Sequence, residues 1–272
     1  TSIVRARDPS MPYHNIKLDR DAGVAVLVLD RPDSFNAMSL ELTRELSEAA
    51  MECDTDPAVR AVIITGRGKA FSVGGDLASF KDAGDRVPYL LKEMTTHLHA
   101  AISRLARMSA PVIAAVNGPA AGAGMSLACS ADMTLAARSA KFTMAYTAVG
   151  LTPDGSSTFY LPRIIGMKRT KELMLTNRSL TAEEAQAWGL VNTVVDDEAV
   201  MDEAAKLATR LAQGPTAAYG EVKRMLVGTT SESLEGQLEL ESRAISDSSR
   251  TEDHQEGRAA FFEKRKPEFN GR

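Results

Sequence analysis

Apolar positions along the chain recur in two rhythms. Short runs rich in β-branched residues, Val24 to Leu29, Val59 to Thr65, Val112 to Val116, Met133 to Ala136 and Leu190 to Val195, read as strands. Between them the apolar spacing lengthens to that of a helix. Ser39 to Cys53 is one such segment. Val87 to Met108 is another, with Val87, Leu90, Leu91, Met94, Leu98, Ile102 and Leu105 at helical spacing. Strand, helix, strand, helix, strand predicts right-handed crossovers and a largely parallel sheet of the α/β class.

The later half changes character. Thr181 to Glu184 has the residues of a capping box, opening a short helix that stops near Gly189, and after Val195 the chain reads as helices to its end. A core is therefore expected over residues 11 to 195. The helical region from 196 to 272 has charged faces and modest apolar stripes, which suits packing on that core or on another subunit. Residues 1 to 10, TSIVRARDPS, carry no pattern and read as a cloning remnant or a disordered lead.

Composition narrows the function classes. The chain has 272 residues, 44% hydrophobic and 25% charged, which is ordinary for a soluble globular protein. A net charge of −4 argues against nucleic acid or an anionic membrane as a general partner, since both require a concentrated positive field. No apolar run is long enough for a bilayer span, and the start lacks the apolar stretch of a signal peptide. Cys53 and Cys129 lie far apart with no CxxC spacing, so neither a metal site nor a disulfide framework is expected. A reduced, cytoplasmic setting fits.

Candidate chemistry begins at two glycine-rich turns. GRGKAFSVGGDL, residues 66 to 77, follows one strand, and NGPAAGAGMSLACSAD, residues 117 to 132, follows the next and precedes a helical run. Small residues there let backbone N–H groups approach a ligand, and a helix start adds a positive dipole end suited to an oxyanion. Either turn alone could equally be a close-packed connection. Together they would place donors at one sheet edge, where ligands of open α/β folds collect.

Rival motifs are weak. No GxGxxG follows a strand and no GxxxxGK[ST] is present, and the four histidines, His14, His97, His99 and His254, show no zinc-ligand spacing. Gly124 to Ala128 brushes against GxSxG, with Asp154 and His254 following in triad order, yet Ser126 lies ten residues beyond Val116 where an elbow would turn sharply off its strand. His97 and His99 flank the apolar stripe of the long helix and read as packing or surface residues. Asp154, in Pro153-Asp154-Gly155-Ser156, reads as a helix N-cap; a carboxylate so placed is held ionised and would serve as a base.

These turns, with the intervening helix and PDGSSTFYLPRIIG, resemble the enoyl-CoA hydratase/isomerase (crotonase) family. The likeness runs from about Met11 to Arg272 and includes RPDSFNAMS, LTNRSLTAEEAQAWGLVNTVV and GRAAFFEKRKPEF. It implies a crotonase-like core of repeated ββα units, a C-terminal helical trimerisation region and homotrimers or hexamers built as dimers of trimers. Acyl-CoA thioesters are the implied substrates, with no separate cofactor and no metal. The backbone N–H groups of Gly75 and Ala123 would form the oxyanion hole. Phe35, Asn36, Ala37 and Ala70 would lie near the CoA, Asp76, Leu77 and Tyr146 near the substrate, and Phe261 and Lys264 would reach the adenosine phosphate end, in the family from a neighbouring subunit.

Departures from the family pattern select among its reactions. Hydratases of the family carry glutamates where this chain has Ser126 and Tyr146, and serine with tyrosine is a poor substitute for two carboxylates in adding water. Asp154 matches the aspartate of isomerases acting on ring-opened or epoxidised phenylacetyl-CoA, where one carboxylate shuttles a proton between carbons. The resemblance also extends to 4-chlorobenzoyl-CoA dehalogenases, in which residues aligned with Asp154 and His99 act as nucleophile and hydrolytic partner. Those enzymes differ in having a tryptophan at Tyr146 and a larger aromatic residue at Gly75. A family member that binds acyl-CoA without turnover is the third expectation.

Overall fold

A computed structural model describes residues 13–272 of the chain. The lead expected over residues 1 to 10 lies outside the described residues. β1 (Ile16–Asp21) and β2 (Val24–Leu29) form an antiparallel hairpin turned by Ala22 and Gly23, both at positive φ. Two left-handed residues suit the twist of the flanking strands. α1 (Leu40–Thr55) is capped by Ser39, whose hydroxyl accepts from the Leu42 amide, and it buries Leu42, Leu46, Ala49 and Cys53. β3 (Ala61–Gly66), α2 (Leu77–Ala83), α3 (Val87–Arg107) and β4 (Val112–Val116) carry the alternation forward. β5 (Ala120–Ala121), α4 (Ala123–Ser130), β6 (Met133–Ala137) and β7 (Lys141–Thr143) complete the middle of the chain.

After α5 (Ser157–Ile164) and α6 (Gly166–Thr176), the short β8 (Leu180–Thr181) leads into α7 (Ala182–Ala187) and β9 (Thr193–Val195). The Thr181–Glu184 capping box is present with both of its hydrogen bonds. Four helices finish the chain: α8 (Val200–Ala212), α9 (Thr216–Gly228), α10 (Leu234–Ser248) and α11 (Glu252–Glu263).

The main sheet has the order β1-β2-β3-β4-β6-β9, parallel except at β1, and β5, β7 and β8 form a small second sheet. Every residue of β3 and β4 is buried, as expected of parallel strands covered on both faces. α1 packs on α3, and α8 lies along β3, β4 and β6. The parallel strands β3 and β4 therefore end side by side and release the two glycine-rich turns at one sheet edge.

Lys223 of α9 ties the C-terminal helices to this core. Its ammonium donates to the carbonyls of Leu105 and Ala110 at 2.9 and 2.8 Å and pairs with Asp132 at 2.7 Å. The tail beyond α11 folds back, its Asn270 and Gly271 amides donating to the buried Asp253 carboxylate.

Some boundaries differ from the sequence pattern. The strand expected from Val59 begins at Ala61, because Asp56 accepts from the amides of Ala58 and Val59 and closes a turn. The strand expected from Leu190 begins at Thr193, since the Leu190 and Val191 amides bond back to the Ala185 carbonyl. α4 lies inside the second glycine-rich stretch rather than after it. Asp154 does not cap α5: that helix opens at Ser157, behind Gly155 and Ser156 at positive φ, and has no side-chain cap.

Candidate active site

The loop after β3 is strapped from one side by residues 35 to 38. Asn36 is fully buried; its side-chain nitrogen donates to the Arg67 and Ala70 carbonyls at 3.0 and 2.8 Å, and its backbone carbonyl accepts from the Ser72 hydroxyl at 2.8 Å. Met38 bridges Gly75 as in a parallel pair, its amide donating to the Gly74 carbonyl at 2.7 Å and its carbonyl accepting from the Asp76 amide at 3.1 Å. In such a bridge the middle residue's own N–H points away from the partner strand. The Gly75 amide is thereby turned outward.

From the other side the turn after β4 presses directly on this loop. A β-carbon at Gly74 would lie 2.9 Å from the Ala121 carbonyl oxygen and 3.2 Å from the Ala123 nitrogen, so only glycine permits the approach. Ala123 is the first residue of α4, where an N–H has no intrahelical acceptor. Neither the Gly75 nor the Ala123 amide donates a backbone hydrogen bond among the described residues. Both line one cavity of about 470 Å³.

That cavity is mostly apolar, with walls from Met38, Phe80, Met94, Leu98, Val149 and Leu151. Asp154 is the one carboxylate lining it among the described residues, and Tyr146 and Leu77 line it too. Asp154 Oδ1 lies 2.8 Å from His99 Nε2 on α3, with side-chain exposures of 31% and 52%. Asp154 thus keeps solvent access and one oxygen, Oδ2, outside any hydrogen bond among the described residues. Beneath it, the Ser126 and Tyr146 hydroxyls lie 3.1 Å apart and both reach the Asp154 backbone carbonyl. Burial, reinforced by the Asp154 charge, pushes the Tyr146 phenol well above its ordinary range against the opposing bond from Ser126, so it stays protonated.

The remaining expected residues fall elsewhere. The Asp76 carboxylate caps α2 through the Ala78 and Ser79 amides and pairs with Arg31 at 2.9 Å, rather than lining the cavity. Burial pushes its pKa up, but Arg31 and those amides outweigh it and hold the group below its usual range. Ala37 and Ala70 are buried in the strap and loop, and Phe35 is half exposed beside them; none of these, nor Asn36, lines the cavity. Phe261 lies on α11 and Lys264 ends it, both away from the cavity of their own chain, where Phe261 joins Ile245 and Phe262 on an exposed apolar groove. His99 touches Asp154 without lining the cavity, and His97 makes no contact with the site.

Sequence reasoning missed Arg31, whose guanidinium bonds both the Ala37 carbonyl and Asp76, and Ser72, which joins the two glycine-rich loops. Arg31 and Asp76 stand 45 residues apart, so no local spacing signals the pair. Both cysteines are buried, and burial pushes each thiol up to about 12, which removes them as nucleophiles.

Residues 19–272 match the family model described as Enoyl-CoA hydratase/isomerase. The 1,2-epoxyphenylacetyl-CoA isomerase of Escherichia coli (strain K12) is 39% identical over 253 residues, covering 93% of this chain and 97% of that protein. A 4-chlorobenzoyl coenzyme A dehalogenase-2 of Arthrobacter sp is 36% identical over 233 residues, covering 85% and 84%. The crystal structure of an enoyl-CoA hydratase from Polaromonas sp. JS666 matches with a TM-score of 0.89 at 32% identity, covering 93% of this chain and 99% of that one.

Proposed function

This chain belongs to the enoyl-CoA hydratase/isomerase family and has its α/β crotonase-like fold, and from that premise we propose that it isomerises an unsaturated acyl-CoA with Asp154 as acid and base. One observation carries the reading: a single carboxylate shares an apolar cavity with two free backbone amides. In this mechanism the thioester oxygen sits between the Gly75 and Ala123 N–H groups. Charge moving onto that oxygen is stabilised by donors already in place, and losing one such donor costs about 3 kcal/mol in a transition state. Asp154 removes a proton from the acyl chain, giving a delocalised enolate, and returns it at another carbon. Water addition is disfavoured because Ser126 and Tyr146 spend their hydroxyls on the Asp154 carbonyl and add no second carboxylate.

Coenzyme A enters as part of the substrate. Phe35, Asn36, Ala37 and Ala70, at the strap beside the cavity, are proposed to lie near its pantetheine arm. Phe261 and Lys264 are proposed to reach the adenosine end of a neighbouring subunit's ligand, within a homotrimer or hexamer. The exposed Ile245, Phe261 and Phe262 support an interface there. Among the described residues no helix is long and apolar enough to cross a membrane, and a cytoplasmic setting is part of the same proposal.

A second reading is favoured by one contact. The His99 ring beside Asp154 suits a dehalogenase-like hydrolysis, in which Asp154 attacks an aryl ring and His99 assists release of the aryl ester. A halobenzoyl-CoA should then release halide.

The test of the leading reading is solvent exchange. Incubating the protein with a 3-enoyl-CoA in deuterated water should place deuterium in the acyl chain, and Asp154→Asn should reduce the rate by about 10²–10⁴-fold, the usual worth of a positioned acid or base. Full exchange in that variant would reject Asp154 as the base.

A further inference from the structure

Three hydroxyl groups converge on one peptide oxygen. The Asp154 carbonyl lies 2.8 Å from Ser126 Oγ, 2.9 Å from Ser157 Oγ and 3.2 Å from Tyr146 Oη. A carbonyl oxygen has two lone pairs, so the three hydroxyls share it, and Ser126 Oγ also lies 3.2 Å from the Gly122 carbonyl and 3.1 Å from Tyr146 Oη. Ser157 is a local neighbour that opens α5, and its bond is an ordinary turn contact. Ser126 and Tyr146 come from elsewhere: one lies on α4, fully buried, and the other borders the cavity.

The backbone here is crowded as well as bonded. A β-carbon at Gly155 would lie 2.9 Å from the Ser126 β-carbon, so the turn rests directly on α4. Gly155 and Ser156 follow at positive φ, which makes the turn sharp and leaves it dependent on its anchors. With the carbonyl fixed, the Asp154 carboxylate moves only through its own two side-chain torsions, and Oδ1 is tied to His99.

From this geometry we infer that Ser126 and Tyr146 are positioning residues, clamping the Asp154 backbone so that its carboxylate faces the cavity in one orientation; the inference rests on the proton-transfer reading of Asp154. The clamp needs donors. An ionised glutamate at either position would be an acceptor facing another acceptor, whereas serine and a protonated tyrosine each supply an O–H. The two hydroxyls act on one atom, so removing either loosens the hold on the same peptide unit, leaving it to the other and to the local Ser157 bond.

Ser126→Ala and Tyr146→Phe each delete one oxygen and keep the surrounding shape. Each should lower kcat for deuterium exchange about 10-fold, since a shift of about 1 Å in a catalytic group costs up to about 10²-fold. KM should stay within about twofold, and the double variant should lose less than the product of the single effects, because neighbours sharing one partner are not additive. Hydrogen exchange read by mass spectrometry should show faster uptake in a peptide spanning residues 150–157 and unchanged uptake in β3 and β4. Wild-type kcat in both single variants, or uptake that rises uniformly across the chain, would overturn the clamp. If the wild-type protein exchanges no deuterium into any enoyl-CoA while its fold is intact, the acid–base reading of Asp154 fails. The clamp is then judged by uptake at 150–157 alone, and no change there overturns it.

Discussion

Two acidic residues beside α4 have each found a basic partner, and they have been put to different uses. Asp132, just past the helix, pairs with Lys223 at 2.7 Å, and Asp154, resting its carbonyl on the helix, pairs with His99 at 2.8 Å. In the first pair every donor is committed: the Lys223 ammonium also serves the Leu105 and Ala110 carbonyls, and Asp132 also accepts the Val112 amide. Burial pushes Lys223 down and Asp132 up, against their mutual attraction. In the second pair the base is half exposed where Lys223 is buried, and Asp154 faces the apolar cavity that Gly75 and Ala123 also line. A pair whose cation is buried with all three of its donors spent can hold helices together; one whose carboxylate faces an apolar cavity is able to exchange a proton with what binds there.

The sharpest way to break this contrast is Lys223→Met. It strands a carboxylate and two carbonyls in the interior, and should cost about 3 kcal/mol of stability, the low end for a broken buried pair because Asp132 keeps some exposure. Combining it with Asp132→Asn removes the stranded charge while retaining an acceptor for Val112, and should restore more than half of the loss. Urea unfolding of the two variants measures both. Any deuterium exchange into an enoyl-CoA, per folded molecule, should change in neither, since neither residue lines the cavity.

The pH dependence carries a smaller signal from the same pair. A raised pKa for Asp132 in the folded state means that its contribution is fully present below the unfolded carboxylate range and is lost as pH rises through the folded value. Lys223, depressed, has the converse alkaline behaviour: its contribution is present above the unfolded value and is lost as pH falls through the folded one. Asp132→Asn deletes the acid part, so its stability should climb more steeply than that of the wild type as the pH is raised through the acid range. Parallel curves from urea titrations at stepped pH would contradict the burial argument.

How much of this was legible in the chain depends on whether the physics is local. The buried strands β2, β3, β4 and β6 and the helices α1 and α3 announce themselves because continuous apolar runs and helical periodicity are consequences of burial on both faces or on one stripe. β1 was missed: IKLDRD places charged residues on its outer face and leaves only Ile16 and Leu18 as apolar positions. The glycine-rich turns were legible because close backbone approach demands small residues at the spot itself. The Asp154 cap was misread from a composition that suits an N-cap. Left-handed Gly155 and Ser156 carry the chain past Asp154 before α5 begins, so its carbonyl bonds inward and its carboxylate is left over. No periodicity could show that Ser126, Tyr146 and His99, which lie 28, 8 and 55 residues from Asp154, meet there.

The smallest expected change on the stability scale belongs to His99→Gln, and it separates the two chemical readings most directly. A pair whose side chains are half and one third exposed contributes at most about 1 kcal/mol, so unfolding by urea should barely move. The glutamine amide still has an N–H to offer Asp154 Oδ1, which preserves the orientation of the carboxylate. If Asp154 alone carries the proton between carbons, deuterium exchange into an enoyl-CoA should persist within about threefold, because a general base needs its own geometry more than a second titrating group. If His99 instead assists hydrolysis of an aryl ester, steady-state halide release from a halobenzoyl-CoA, after a first equivalent expelled as Asp154 attacks the ring, should fall by about 10² or more, since glutamine neither accepts nor returns a proton. Exchange that survives in a protein releasing no halide assigns His99 to holding the carboxylate; exchange that collapses with an unchanged unfolding curve makes it part of the proton path, and the contrast with Lys223 becomes one between a fastener and a working base.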